Sequence, residues 1–246
     1  MLDFSTALEQ GRQVLEMFPN GELYRSNFAL YAMYAGAFDD AAATARTMID
    51  QDPSYGTAFL PLAIASLAKD DFDGARAAYE GMRMATRSPH MDSLGILGLA
   101  DMAIYAGQFD AAIALLEAGI ETDKAAAANH LAALKNIALG ESYVYIGDFD
   151  AALAATREAL ELSLRDTIQV SAAMIYIQAG RPDLALPIRE WLATQINDHD
   201  RAYGLMIEGI LQRLDGDFIN AIQTLRFALN TTDLWRINLE LGRTYL

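Results

Sequence analysis

The stretch YIGDFDAALAATREAL, residues 145–160, decides the fold, because the chain repeats it. YAGQFDAAIALLEAGI begins at residue 105 and YAGAFDDAAATARTMI at residue 34. Each copy joins an aromatic-ended apolar run, a Gly-x-Phe-Asp turn and a second run of small and apolar residues at helical spacing. The turn recurs as GAFDDA at 36, DDFDGA at 70, GQFDAA at 107, GDFDAA at 147, GRPDLA at 180 and GDFINA at 216, at intervals of 34, 37, 40, 33 and 36 residues. Before the first turn, Phe28, Tyr31 and Ala32 mark one helix; after it, Ala41, Ala45 and Met48 mark another. The alanine behind each turn (Ala41, Ala75, Ala112, Ala152, Ala185, Ala221) lets the paired helices approach closely. The turn aromatic (Phe38, Phe72, Phe109, Phe149, Phe218) is expected to plug the gap between neighbouring pairs, and Pro182, which replaces it in the fifth copy, predicts a looser joint. One hairpin has more apolar surface than it can bury alone, so the hairpins must stack.

A period near 34 with an alanine behind the turn resembles the tetratricopeptide repeat family. In NIALGESYVYIGDFDAA, Leu139-Gly140, Tyr143, Gly147 and Ala152 sit where that family's pattern places Leu-Gly, Tyr, Gly and Ala. Pro19 and Pro53 lie 34 residues apart at its closing proline, and LGRTY at 241 repeats LGESY at 139. The early Trp of each first helix is missing. The resemblance implies an all-α fold, a right-handed α-solenoid of helix–turn–helix repeats forming one domain over 1–246. It divides into a half repeat at 3–19, six helix pairs at about 22–53, 56–87, 93–125, 131–164, 167–199 and 202–233, and a half repeat at 235–246. With both ends in mid-repeat, the end helices are expected to pack on other parts of a longer protein or to meet another copy in a homodimer. Two joints carry insertions, RMATRSPHMDS and TDKAAAANHLAALKN; the alanine run in the second favours an extended helix.

Composition narrows the function. The 246 residues are 53% hydrophobic, and 33 acids outweigh 18 bases for a net charge of −15. The bases are dispersed, which argues against nucleic acid or an anionic membrane as partner. No cysteine is present, so disulfides, thiolate nucleophiles and cysteine-ligated zinc are excluded. The opening MLDFSTALEQ has no apolar signal core, and the longest apolar stretches run to about twelve residues, against the ~20 a membrane span needs. A cytoplasmic protein is expected. The turn aspartates read as helix caps. His90, His130 and His199 fall in three separate joints without a second histidine nearby. There is no phosphate loop and no nucleophile elbow. No enzyme, cofactor or metal site is expected.

In the family that this chain resembles, first helices line a concave groove whose exposed positions choose the ligand. Carried over, that register gives Ser26, Leu30, Met33 and Tyr34, then Leu60, Ile64 and Leu67, then Leu97, Asp101, Ile104 and Tyr105. The later repeats add Ile137, Glu141, Val144 and Tyr145, then Val170, Met174 and Ile177, then Tyr203, Met206, Ile210 and Arg213. This wall is largely apolar. Ser26, Leu30, Leu60, Leu97 and Asp101 stand where chaperone-binding members of the family hold acidic tails with cations, so a carboxylate clamp is not expected. The expected function is a protein or peptide interaction scaffold that takes an apolar or amphipathic segment in the groove. The groove residues could instead be buried by a tightly wound solenoid. YRSNFALYAMYAGAFDDA and LWRINLELGRTYL also resemble the repeat region attached to bacterial serine/threonine kinases, which implies a regulatory or sensory fragment of a larger signalling protein. A small-molecule sensor would instead enclose a pocket among Tyr34, Ile64 and Tyr105.

Overall fold

Every described residue belongs to a helix or a short connection. The computed structural model describes residues 4–85 and 90–246, and no strand occurs among them. The elements are α1 (Phe4–Met17), α2 (Glu22–Tyr34), α3 (Phe38–Gln51), a single 3-10 turn (Gly56–Ala58) running into α4 (Phe59–Leu67), α5 (Phe72–Met84), α6 (His90–Tyr105) and α7 (Phe109–Ala125). They continue as α8 (Asn129–Ile146), α9 (Phe149–Leu162), α10 (Asp166–Gln178), α11 (Pro182–Ala193), α12 (Asp198–Leu214), α13 (Phe218–Thr231) and α14 (Trp235–Tyr245). Helices pack on those one or two places along the chain, as in a helical repeat solenoid. They group into two compact units, residues 2–119 and 120–246, with the division inside α7. Part of the insertion RMATRSPHMDS, residues 86–89, lies outside the described residues.

The turn is built the same way each time. At the end of α8, Gly147 takes a left-handed φ of 81°, its N–H donates to the Val144 carbonyl, and the Asp148 N–H donates to the Tyr143 carbonyl. This satisfies two of the helix's last carbonyls and reverses the chain within three residues. Asp148 then serves as the N-cap of α9, its carboxylate accepting from the Ala151 N–H. Asp71 and Asp217 cap α5 and α13 in the same manner. The expectation that the turn aspartates cap helices generally is too broad. Ala37 and Arg181 hold the cap positions of α3 and α11 with no side-chain bond, while Asp39 pairs with Lys69, Asp40 with Arg12 and Asp183 with Arg181. The alanines behind the turns behave as the sequence implies: all six are fully buried at 0% exposure. The turn aromatics do not. Phe72, Phe149 and Phe218 are 38–53% exposed, because the left-handed turn carries them to the rim of the helix pair. Pro182 opens α11 at a position where its missing N–H costs nothing, and Ala185, Ile188 and Leu192 behind it are buried, so that joint is closed.

The alanine run splits between two helices. α7 ends at Ala125, Ala127 takes a left-handed φ of 53°, and α8 begins at Asn129. Both helices are long, 17 and 18 residues against 14 for α3 and α9. Within the 120–246 unit this brings Lys135 of α8 against Asp123 of α7 in an ion pair of 2.5 Å, with both side chains at most 6% exposed. A buried pair costs several kcal/mol of desolvation, so removing one partner strands the other. Lys135→Met therefore lowers the unfolding free energy by about 3–5 kcal/mol. Denaturant melts of the single variant and of Lys135→Met/Asp123→Leu check this, the double variant recovering most of the loss.

Candidate binding sites

Two cavities open on the first-helix faces, one in each unit. In the 2–119 unit, α4 supplies Ile64 and Leu67, the following turn Asp70, α5 Phe72 and Tyr79, and α6 Gly98, Asp101, Met102 and Tyr105, around a cavity of about 360 Å³. Gly98 makes the floor. A Cβ there would stand 2.2 Å from the Tyr79 ring, so a glycine is what allows that buried ring to lie across α6. Burial, with the nearby charge of Asp101, raises the Tyr79 phenol above its ordinary value and keeps it neutral. At the rim, the Phe72 and Tyr105 rings stack with centroids 5.8 Å apart, and Tyr105 is 79% exposed. Asp70 occupies the left-handed turn position, φ 58°, that glycine holds in the other repeat turns.

The second cavity, about 140 Å³, lies in the 120–246 unit. Glu141 of α8, Ser171, Met174 and Gln178 of α10, and Met206 of α12 face Trp235, Arg236, Leu239, Glu240 and Arg243 of α14. Glu240 is 4% exposed and accepts from Arg213 at 2.8 Å and Arg243 at 2.6 Å. Burial pushes the Glu141 carboxyl above the usual carboxylate range, with Arg236 opposing that shift.

The groove positions read from the sequence divide into three groups. Met33, Ile137, Met206 and Ile210 are buried core side chains, as are Ser26 and Val170. They point at the neighbouring helix rather than along the exposed face, and the correction follows from packing that a 3.6-residue period does not resolve. Leu30, Leu60, Leu97, Ile104, Val144, Ile177 and Tyr203 are half-buried. Ile64, Leu67, Asp101 and Tyr105 come together at the first cavity, and Glu141 and Met174 at the second. Tyr34 and Tyr145 are exposed, Tyr34 stacking on Phe4 at 5.1 Å instead of joining Ile64 and Tyr105. Sequence reasoning missed the second-helix contributors Phe72 and Tyr79. It also missed the arginines of α14, whose half repeat was left out of the groove register. LGRTY, matching LGESY, was the available signal for Arg243.

Family comparison bears directly on this architecture. The tetratricopeptide repeat family matches twice, over residues 32–95 and 137–198, together just over half of the chain. The chain is a tetratricopeptide repeat protein. A search of curated protein sequences returned no match. A tetratricopeptide repeat protein from Parabacteroides merdae superposes with a TM-score of 0.67 at 13% identity, covering 99% of this chain and 93% of that one. Human IFIT1 with m7Gppp-AAAA gives 0.68 at 17% identity over 98% of this chain and 58% of its own. A chain of the APC/C hetero-tetramer Cut9–Hcn1 gives 0.63 at 14%, over 99% and 46%. This tetratricopeptide repeat protein thus spans about half the length of those last two. At such identities the likeness is one of fold. Tetratricopeptide repeats generally mediate protein–protein interaction, and scaffolds built from them are generally not enzymes. Among the described residues no helix is long and apolar enough to cross a membrane, and no cluster of three metal-ligating side chains occurs.

The Glu141 shift has a definite sign. A carboxyl whose folded pKa is raised contributes stability that is fully present below the ordinary glutamate range and is lost as pH rises through the folded value. Glu141→Gln therefore melts higher than the wild type at neutral pH, and the difference closes in acid, as thermal melts across that range show.

Proposed function

We propose that the 2–119 unit binds an apolar or amphipathic protein segment across the exposed face of α4 and α6. One observation carries the reading. The first cavity, about 360 Å³, falls within the ~300–1,000 Å³ of working ligand sites, whereas the second, about 140 Å³, falls below it. Its walls are Ile64, Leu67, Phe72, Met102 and Tyr105, and it opens to solvent beside Tyr105. Methionine and tyrosine suit such a surface: one adapts its shape, and the other offers a rigid ring with a polar tip. The helix pairs hold this wall before the partner arrives, so little ordering entropy is lost on binding.

Selection of a displayed random peptide library on the intact chain tests the proposal. Enriched peptides carry apolar residues at helical or alternate spacing. Tyr105 is largely free of the core, so Tyr105→Lys leaves the melting free energy within ~0.5 kcal/mol and weakens the selected peptides about tenfold or more. Tyr145→Lys, on the other unit, leaves them unchanged. Absence of enrichment, or equal loss in both variants, overturns the assignment.

A further inference from the structure

The apolar cavity of the 2–119 unit carries charge of one sign. Asp101 stands on its α6 wall and Asp70 at the turn that closes it, and no cationic side chain lines it. Asp70 makes no side-chain hydrogen bond or ion pair among the described residues, and the adjacent Lys69 is turned to Asp39. Asp70 also holds a left-handed backbone position, φ 58°, where the corresponding turns use glycine at φ 70–81°. An L side chain there costs about 1 kcal/mol or more, although aspartate tolerates the region better than most residues. Its carboxylate gains no internal partner in return. The two acids also sit in a chain whose net charge is −15, which draws cations towards any cleft on its surface. The cavity of the other unit is balanced differently, with Arg236 and Arg243 beside Glu141 and Glu240.

We infer that the segment taken up by the α4–α6 cavity is basic: a peptide that places one bulky apolar side chain between Phe72, Met102 and Tyr105 and sets a lysine or arginine beside it, against Asp70 and Asp101. This rests on the peptide-binding reading of the same cavity and adds the chemical class of the partner. The apolar anchor supplies the contact area, because the walls are hydrophobic and already formed. The carboxylates select among anchors. An acidic neighbour would meet two like charges at the cavity mouth, and a basic one completes two unneutralised acids. Complementarity of this kind acts mainly on specificity and association rate, and it weakens as salt rises.

The test uses three synthetic helical peptides with identical leucine and phenylalanine positions, whose remaining positions are all lysine, all glutamine or all glutamate. Each is titrated onto the full chain by calorimetry at low and high salt. The lysine peptide binds about three- to tenfold more tightly than the glutamine peptide, the expected scale of two partly exposed charge pairs. The glutamate peptide binds more weakly than either, and high salt removes the ranking. Asp70→Asn, which keeps a residue at ease with a left-handed φ, and Asp70→Asn/Asp101→Asn erase the lysine advantage in one and two steps while the glutamine peptide is unaffected. Melting curves of each variant show that the fold is intact. Equal binding of all three peptides overturns the basic class and leaves the apolar groove standing. A lysine advantage that survives both substitutions assigns it to the overall charge and overturns the site. Failure of all three peptides overturns the groove reading together with this inference.

Discussion

The close approach of the two helices in each pair is the constraint on which the rest depends. An alanine five residues after the left-handed turn position is fully buried in every pair, from Ala41 to Ala221. A larger side chain there would push the axes beyond the 8–10 Å at which helices interlock. With the pair so tight, bulk has to go elsewhere. It sits opposite glycines: the Tyr79 ring over Gly98, Leu225 over Gly209 and Thr156 against Gly140. These pairings fill the interior in the way ordinary cores do, with few voids. The α4–α6 cavity forms where that filling stops, because Gly98 is matched by Tyr79 while no side chain closes the rim between Phe72 and Tyr105.

The fold was legible from the turns because their chemistry is local. A glycine at the left-handed position and an alanine behind it answer to backbone sterics and to a single helix contact, and both are visible in one copy of the motif. The capping pattern was legible only in part. Asp148 caps α9, yet Ala37 holds the same place before α3, and Asp40 beside it is spent on Arg12. The candidate site was less legible still. Met33 and Tyr34 are neighbours in the predicted wall, but one is buried and the other exposed, since the groove edge runs between them. Helical periodicity identifies an apolar stripe without saying which part of it meets the next helix pair. Tyr79 and Phe72 belong to second helices, and their place in the cavity depends on an inter-helix fit that spacing alone does not encode.

The interior also carries ions. Lys135 with Asp123, and Glu240 between Arg213 and Arg243, bury charge where apolar residues would pack as well. Such pairs add little net stability, since desolvation offsets most of the attraction. Their effect is on register: a helix slipped by one residue leaves a charge unpaired in a dry environment. In an array of similar helix pairs, with alanine contacts that look alike from one pair to the next, register is the property most easily lost. The ion pairs sit at the positions where ambiguity is greatest, beside the alanine-rich α7–α8 joint and against the last helix.

Asp70 joins these two themes. Five turns use glycine where backbone geometry is decisive, and this one accepts an L residue at a left-handed φ. Elsewhere the chain places its turn aspartates to serve the fold, as caps at Asp71, Asp148 and Asp217 or as partners of cations at Asp39 and Asp183. Asp70 does neither, and it stands at the mouth of the larger cavity. A repeat protein can vary only those residues that its stacking does not need, and turn tips and exposed first-helix positions are where such freedom concentrates. Where a polar side chain costs backbone energy and returns no internal bond, the compensating interaction lies outside the chain. A solenoid acquires its specificity at such positions without disturbing the alanine contacts that hold it together.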